Sequence, residues 1–187
     1  RFPKLGHGLH FYGKKGCGKE AFAQHFLAWV LCANRHENNA PCGECSSCLW
    51  LKSDTHPNYV YISTDEENKK QNAKIKIEKI RDLLPFVQQT VDGWRVIVIE
   101  PAEALNIASA NALLKTLEEP GDRIVIILLA DHYLKLPATI RSRLQHFALD
   151  RMSEAQADAY LTEYLPDLDQ TQKQLLLNLS NQMPLQA

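Results

Sequence analysis

The sequence predicts an α/β fold, a mainly parallel sheet with helices on both faces. Short β-branched or apolar runs alternate with longer segments of helical periodicity. The strands read as continuous apolar runs, as expected where both faces of a sheet are covered. The first of them feeds directly into a glycine-rich loop that opens a helix, Gly13–Glu20.

Each element can be justified in turn. "GLHFYG" (Gly8–Gly13) is an apolar run ended by glycine and reads as a buried strand. "EAFAQHFLAWVLCA" repeats apolar residues at helical spacing, with Phe22, Phe26 and Val30 on the stripe and Leu27 and Leu31 beside it. "NYVYIS" (Asn58–Ser63) is a second strand. "TDEENKKQNAK" is polar, mixed in charge and loop-like. "IKIEKIRDLLPFVQQTV" is amphipathic, with Ile77, Ile80, Leu84 and Val87 on one stripe. "WRVIVIE" (Trp94–Glu100) is a strand, "SANALLKTLEE" a helix stopped by Pro120, and "RIVIILLA" (Arg123–Ala130) another strand. "PATIRSR" forms a short helix and "LQHFAL" (Leu144–Leu149) a last strand. From about Ser153 strands cease, and "SEAQADAYLTEYL" and "DQTQKQLLLNLS" read as two helices. We therefore expect one domain over 1–150 and a small helical one over 151–187.

Bulk properties narrow the function classes. Among 187 residues, 21 are basic and 22 acidic, so the net charge of −1 supplies no basic footprint for nucleic acid. No apolar run approaches the roughly 20 residues of a membrane span, and no leader pattern is present. The chain starts at Arg1 and ends in helical-looking sequence, so a longer parent polypeptide is expected.

The loop "GKKGCGKE" supplies most of a phosphate cradle. Gly13, Gly16 and Gly18 let backbone amides turn toward phosphate oxygens, and Lys19 neutralises the β and γ phosphates. The hydroxyl that would bind Mg²⁺ is replaced by Glu20. A carboxylate about 5 Å from phosphate oxygens costs roughly 3 kcal/mol per charge pair at an effective dielectric of 20. It can alternatively ligate Mg²⁺ itself. At the end of "RVIVIE", where an acid pair would hold Mg²⁺ and activate water, stand Glu100 and Pro101, with Glu103 past the turn. ATP and Mg²⁺ are therefore doubtful ligands.

Five cysteines are an odd number, and four of them crowd one segment, "CANRHENNAPCGECSSC". Cys32, Cys42, Cys45 and Cys48 supply four thiolates for a closed tetrahedral site, the structural arrangement for Zn²⁺. His36 or His56 are alternatives to Cys32. Cys17, inside the loop, reads as a small buried thiol.

The cysteine-rich insert after the loop helix, together with "SANALLKTLEEP" and "LPATIRSR", closely resembles bacterial DNA polymerase III clamp-loader subunits of the AAA+ class, from about Leu9 to Ala187. "DTHPNYVYI" and the altered nucleotide motifs are more similar to the delta-prime branch than to the gamma/tau motor branch. The resemblance implies a P-loop domain with a five-stranded parallel sheet and a zinc module at 32–48, then an all-helical lid. The family's collar domain is not expected within these residues. It implies a cytoplasmic replication protein that works with gamma/tau and delta subunits to load the sliding clamp onto primed DNA. It casts delta-prime as a non-hydrolysing member that lends a neighbour's ATP site the arginine of a Ser-Arg-Cys motif. The match is Ser142-Arg143, with Leu144 in place of cysteine and Arg141 as competitor. The resemblance also marks Ala130 at a polar sensor position, followed by Asp131, and Leu185 at a lid arginine. Four nucleotide-handling positions, Glu20, Pro101, Ala130 and Leu185, thus depart from the competent pattern. In "SANALLKTLEEP", Leu113, Leu114 and Leu117 read as a buried stripe and Lys115–Glu119 as an i,i+4 pair. The family places Glu118 and Glu119 near the subunit interface. The rival reading is a gamma/tau-type ATPase that uses Glu20 and Glu100 as metal ligands.

Overall fold

The computed structural model describes residues 6–36, 40–64, 73–89, 91–149 and 153–180. Most of the expected polar loop (65–72) and Leu185 lie outside the described residues.

Five parallel strands form one sheet: β1 (Gly8–Tyr12), β2 (Tyr59–Ile62), β3 (Arg95–Ile99), β4 (Ile124–Ala130) and β5 (Gln145–Ala148). Their spatial order is β2-β3-β4-β1-β5. Every residue of β3 and β4 is buried, which is why these strands read as unbroken apolar runs. The side-chain period of two splits each strand between two cores. Ile97, Ile99, Ile124, Ile126 and Leu128 face one side. Val96, Val98, Val125, Ile127 and Leu129 face the other, with Leu9 and Phe11 of β1.

Helix α1 (Lys19–Leu31) covers the second face with Ala23, Leu27, Val30 and Leu31. Here the expected stripe is corrected: Phe22 is exposed, Phe26 is half-buried, and Ala23 takes the inward position. Phe22 instead stacks edge-on against Phe11 from the rim, with centroids 5.1 Å apart. The short helix α2 (Ser46–Lys52) follows within the cysteine segment.

On the other face the amphipathic stretch from Ile75 is two helices, α3 (Ile77–Arg81) and α4 (Leu83–Gln88), and not one. Pro85 has no amide to donate to Arg81, so a continuous helix loses a bond there. The inward positions also differ from the expected stripe. Ile80, Leu83 and Val87 are buried, whereas Leu84 is exposed and Ile77 half-buried. Helix α5 (Ile107–Glu118) starts at Asn106, whose side chain accepts from the Ser109 amide at 2.8 Å, a standard N-cap. Leu113 and Leu117 face the core and Leu114 lies at its edge. The Lys115–Glu119 pair is not among the ion pairs of the described residues; Glu119 has left the helix and caps it. Helix α6 (Ala138–Arg141) leads into β5. After β5 come α7 (Glu154–Tyr164) and α8 (Gln170–Leu179), which pack through Ala157, Leu161 and Leu177.

Candidate functional site

All five strands point the same way, so the loop after β1 and the turns after β3 and β4 meet at one end of the sheet. There Gly16 and Gly18 have φ of 83° and 89°, conformations that favour glycine. Gly18 sits at the N-terminus of α1. Gly13 is required for a different reason: a Cβ there would come within 2.3 Å of the Leu149 carbonyl oxygen and 2.7 Å of Cys17 Sγ. Cys17 is half-buried, less enclosed than the sequence suggests. Beside the loop lies an open cleft of about 740 Å³, lined in part by Tyr12, Lys14, Asp131 and Tyr133. Its size suits a small organic ligand.

The charge beside the loop is set by acids. Lys19 is 2% exposed. Its ammonium lies 2.6 Å from Asp131 Oδ1 and 3.1 Å from Glu20 Oε1. Burial by itself would lower its pKa, but Asp131 and then Glu20 outweigh that and hold it above the usual lysine value. Asp131 is placed by topology. Tyr12 of β1 pairs with Ala130 of β4, so the residue just past β4 lies beside the first glycine of the loop. The Asp131 amide donates to Glu103 Oε1 at 2.7 Å, which braces the turn. Ala130 itself is buried and carries no polar group toward the cleft.

Glu100 stands at the end of β3 and accepts from the Tyr61 hydroxyl at 3.0 Å. Burial, and next the charge of Glu20, raise its carboxyl above the usual range. Pro101 is exposed and carries no acid. The Lys19 ammonium is therefore matched by two carboxylates.

Arg143 lies just past α6, partly exposed. Its guanidinium pairs with Glu118 Oε1 at 2.6 Å and donates to the Thr139 carbonyl at 2.9 Å. The competitor, Arg141, is committed elsewhere, with its guanidinium 4.7 Å from the centre of the Tyr133 ring. Leu144, standing where the family motif has cysteine, is buried in the core. That change leaves Arg143 at the surface.

The four clustered cysteines come together. Their sulfurs all lie within 4.8 Å of one another, with Cys32–Cys42, Cys32–Cys45 and Cys42–Cys48 at 3.6, 3.9 and 4.0 Å. A tetrahedron with metal–sulfur bonds of about 2.3 Å has edges of about 3.8 Å, so the group fits a metal ion and the donor set is that of Zn²⁺. The Cys42 and Cys45 amides donate to Cys32 and Cys42 sulfurs. Burial pushes the Cys48 thiol up to about 12. Burial works the same way on Cys45, but the Cys48 and Ala33 amides and neighbouring thiols overcome it and hold that thiol near 6. His56 has no nitrogen free for a metal. Its Nδ1 accepts from the Asn58 amide at 3.0 Å and its Nε2 contacts Ser47 Oγ at 2.6 Å. Among the described residues, only the four cysteines bring three or more ligand atoms together.

Residues 2–153 match the family described as DNA polymerase III, delta subunit. The chain belongs to that family. It is 39% identical over 183 residues to the DNA polymerase III subunit delta-prime of Pseudomonas aeruginosa, covering 97% of this chain and 54% of that protein. It is 34% identical over 158 residues to the delta-prime subunit of Haemophilus influenzae, covering 83% and 46% respectively. The tau/gamma subunit of Haemophilus influenzae is 32% identical over 164 residues, 87% of this chain and 23% of that protein. The chain thus spans about half the length, or less, of the curated relatives it matches. The same fold occurs in a DNA polymerase III gamma subunit-related protein of Thermotoga maritima, with a TM-score of 0.57 and 19% identity over 87% of this chain and 50% of that one. A RuvB variant from Thermotoga maritima gives a TM-score of 0.56 and 16% identity over 96% and 51%.

Sequence reasoning about this delta-family chain missed two groups. One is Asp131 on Lys19, 112 residues away, for which the only signal was an acid directly after the sensor position. The other is a pair between the buried His10 of the first strand and the exposed His146 of the last. His10 Nδ1 lies 3.0 Å from His146 Nδ1, and Tyr133 stacks on His10. His10 faces the core from the centre of an apolar strand, so nothing local marks it.

Proposed function

We propose that this chain acts as a non-hydrolysing delta-prime subunit of the DNA polymerase III clamp loader and lends Arg143 to ATP bound on a neighbouring subunit. The observation that carries the reading is the loop lysine paired with two carboxylates at 2.6 and 3.1 Å. Phosphoryl transfer depends on positive charge held over the phosphates, and here the loop lysine is already engaged by two acids. The delta-prime relatives, at 39% and 34% identity, support the same branch. The exposure of Arg143 past α6 supports the reading, as its partner Glu118 is an exposed contact of low energetic weight that a neighbouring ligand can replace.

In this reading gamma/tau and delta subunits are the direct partners. The sliding clamp and primed DNA are reached through the complex, in the cytoplasm. Residues 1–150 form the AAA+ domain and α7 and α8 begin a helical lid over 151–187. Cys32, Cys42, Cys45 and Cys48 would hold a structural Zn²⁺, with no coordination position left for a reacting water. Gly13, Gly16, Gly18 and Lys19 are a degenerate phosphate loop.

The test is an Arg143→Ala subunit rebuilt into a complete loader. The expected result is a loss of roughly 10³-fold or more at the neighbouring site, read as reduced clamp-dependent ATPase and clamp loading. Unchanged rates remove the role. A second reading, a gamma/tau-type ATPase, is favoured by the tau/gamma relative at 32% identity and by the retained Lys19. There Glu20 and Glu100 would ligate Mg²⁺.

A further inference from the structure

The acid on Lys19 does more than weaken a nucleotide site. Lys19 Nζ is buried beneath two carboxylates that are both open to solvent: its side chain is 3% exposed, against 41% for Asp131 and 46% for Glu20. Of the two, Asp131 also lines the cleft beside the loop. Glu20 is the residue after Lys19 and moves with the helix. Asp131 comes from another strand and is fixed twice over. The β1–β4 register sets its position, and Glu103 clamps its amide at 2.7 Å. The Gly13 amide bonds to the Ala130 carbonyl at 3.2 Å and ties the loop to the same turn. A charged carboxylate oxygen 2.6 Å from a buried ammonium occupies the place and charge of a phosphate oxygen.

We propose that Asp131 is a built-in occupant of the phosphate seat, and that its displacement from Lys19 sets the affinity of the loop for nucleoside polyphosphates. The inference rests on the reading of Gly13–Glu20 as a phosphate loop. It is independent of Arg143. Asp131 borders a cleft of about 740 Å³ beside the loop, a size that suits a small organic ligand, and the proposed barrier on Lys19 is the competing charge. Asparagine at this position keeps the shape and the backbone amide that Glu103 holds, and removes only the competing charge.

The experiment measures ADP with Mg²⁺ by calorimetry against the wild-type protein, Asp131→Asn, and Asp131→Asn combined with Lys19→Met. The expected result is ADP bound on the order of tenfold or more tighter by Asp131→Asn than by wild type, with the gain abolished by Lys19→Met. Equal measurable affinity in wild type and Asp131→Asn overturns the inference and leaves the phosphate-loop reading standing. A gain that survives Lys19→Met also overturns it, because the ligand is then not replacing Asp131 on that ammonium. Absence of binding in every protein, with unchanged thermal midpoints, overturns both the inference and the loop reading. Asp131→Thr provides the same comparison where Asp131→Asn does not fold.

Discussion

Single residues in this protein are governed by what they face. His10 is fully buried in β1 with His146, Tyr133 and Arg141 around it. Burial, then the charges of His146 and Arg141, lower its pKa from 6.5 to about 4. The sign follows directly. The unfolded chain takes up the proton first, so the stability that neutral His10 contributes is complete above about pH 6.5 and is lost as pH falls through about 4. One pKa unit corresponds to about 1.4 kcal/mol, so the loss is on the order of 3 kcal/mol. Urea unfolding measured between pH 7 and 4 is expected to show this decline, and a His10→Gln variant is expected to flatten it. An equally steep decline in His10→Gln assigns the acid sensitivity to other groups. The residue scale also shows how chemistry and packing separate. Gly16 and Gly18 are glycines for their backbone angles, and Gly13 is one because Leu149 leaves no room.

Among the elements, α2 is one of the short helices that cannot stand by their own propensity. It has seven residues, and isolated helices shorter than about 12 residues are marginal in water. Leu49 and Trp50 are exposed, Cys48 is buried in the thiol cluster, and Leu51 packs at the edge of the α1 core. A metal on the four sulfurs would therefore carry much of this segment's order. Purified protein is expected to contain about one zinc per chain by elemental analysis. Removing the metal with a chelator, or substituting Cys45→Ser, is expected to open the segment between Cys32 and Cys48 to proteases while β3 and β4 stay protected. Metal-free protein with unchanged protease resistance would sink the structural role. The α3–α4 break makes a related point. An amphipathic stripe drawn over Ile77–Val87 assumed one helix; the chain forms two, and Leu83 takes the inward position while Leu84 is exposed.

The whole molecule gathers Asp131, Glu100 and Glu103 at the strand ends beside the glycine loop, and leaves Arg143 at the surface past α6. An isolated chain incubated with Mg²⁺ and ATP is expected to release no phosphate above background. Steady turnover, followed by phosphate release over time, would favour the motor-type reading. Much of this design was legible in advance. Unbroken runs such as "RVIVI" mark strands covered on both faces, because the apolar period and length are local properties. The cysteine spacing marks a metal site for the same reason, as the ligands lie within one segment. The family resemblance followed from motifs that are contiguous in the chain. Contacts between distant segments were not legible. Asp131 meets Lys19 only because β4 lies next to β1 in the sheet, and His10 meets His146 only because β5 lies on the other side. His56 was excluded as a zinc ligand only once both nitrogens had partners. Sequence by itself thus determined the class of fold, the strands and the sulfur ligands, because periodicity and short spacing encode them. Which charge sits on Lys19, and which arginine stays exposed, was decided by the order of strands in the sheet. That order depends on burying two apolar faces at once, a property no single segment carries.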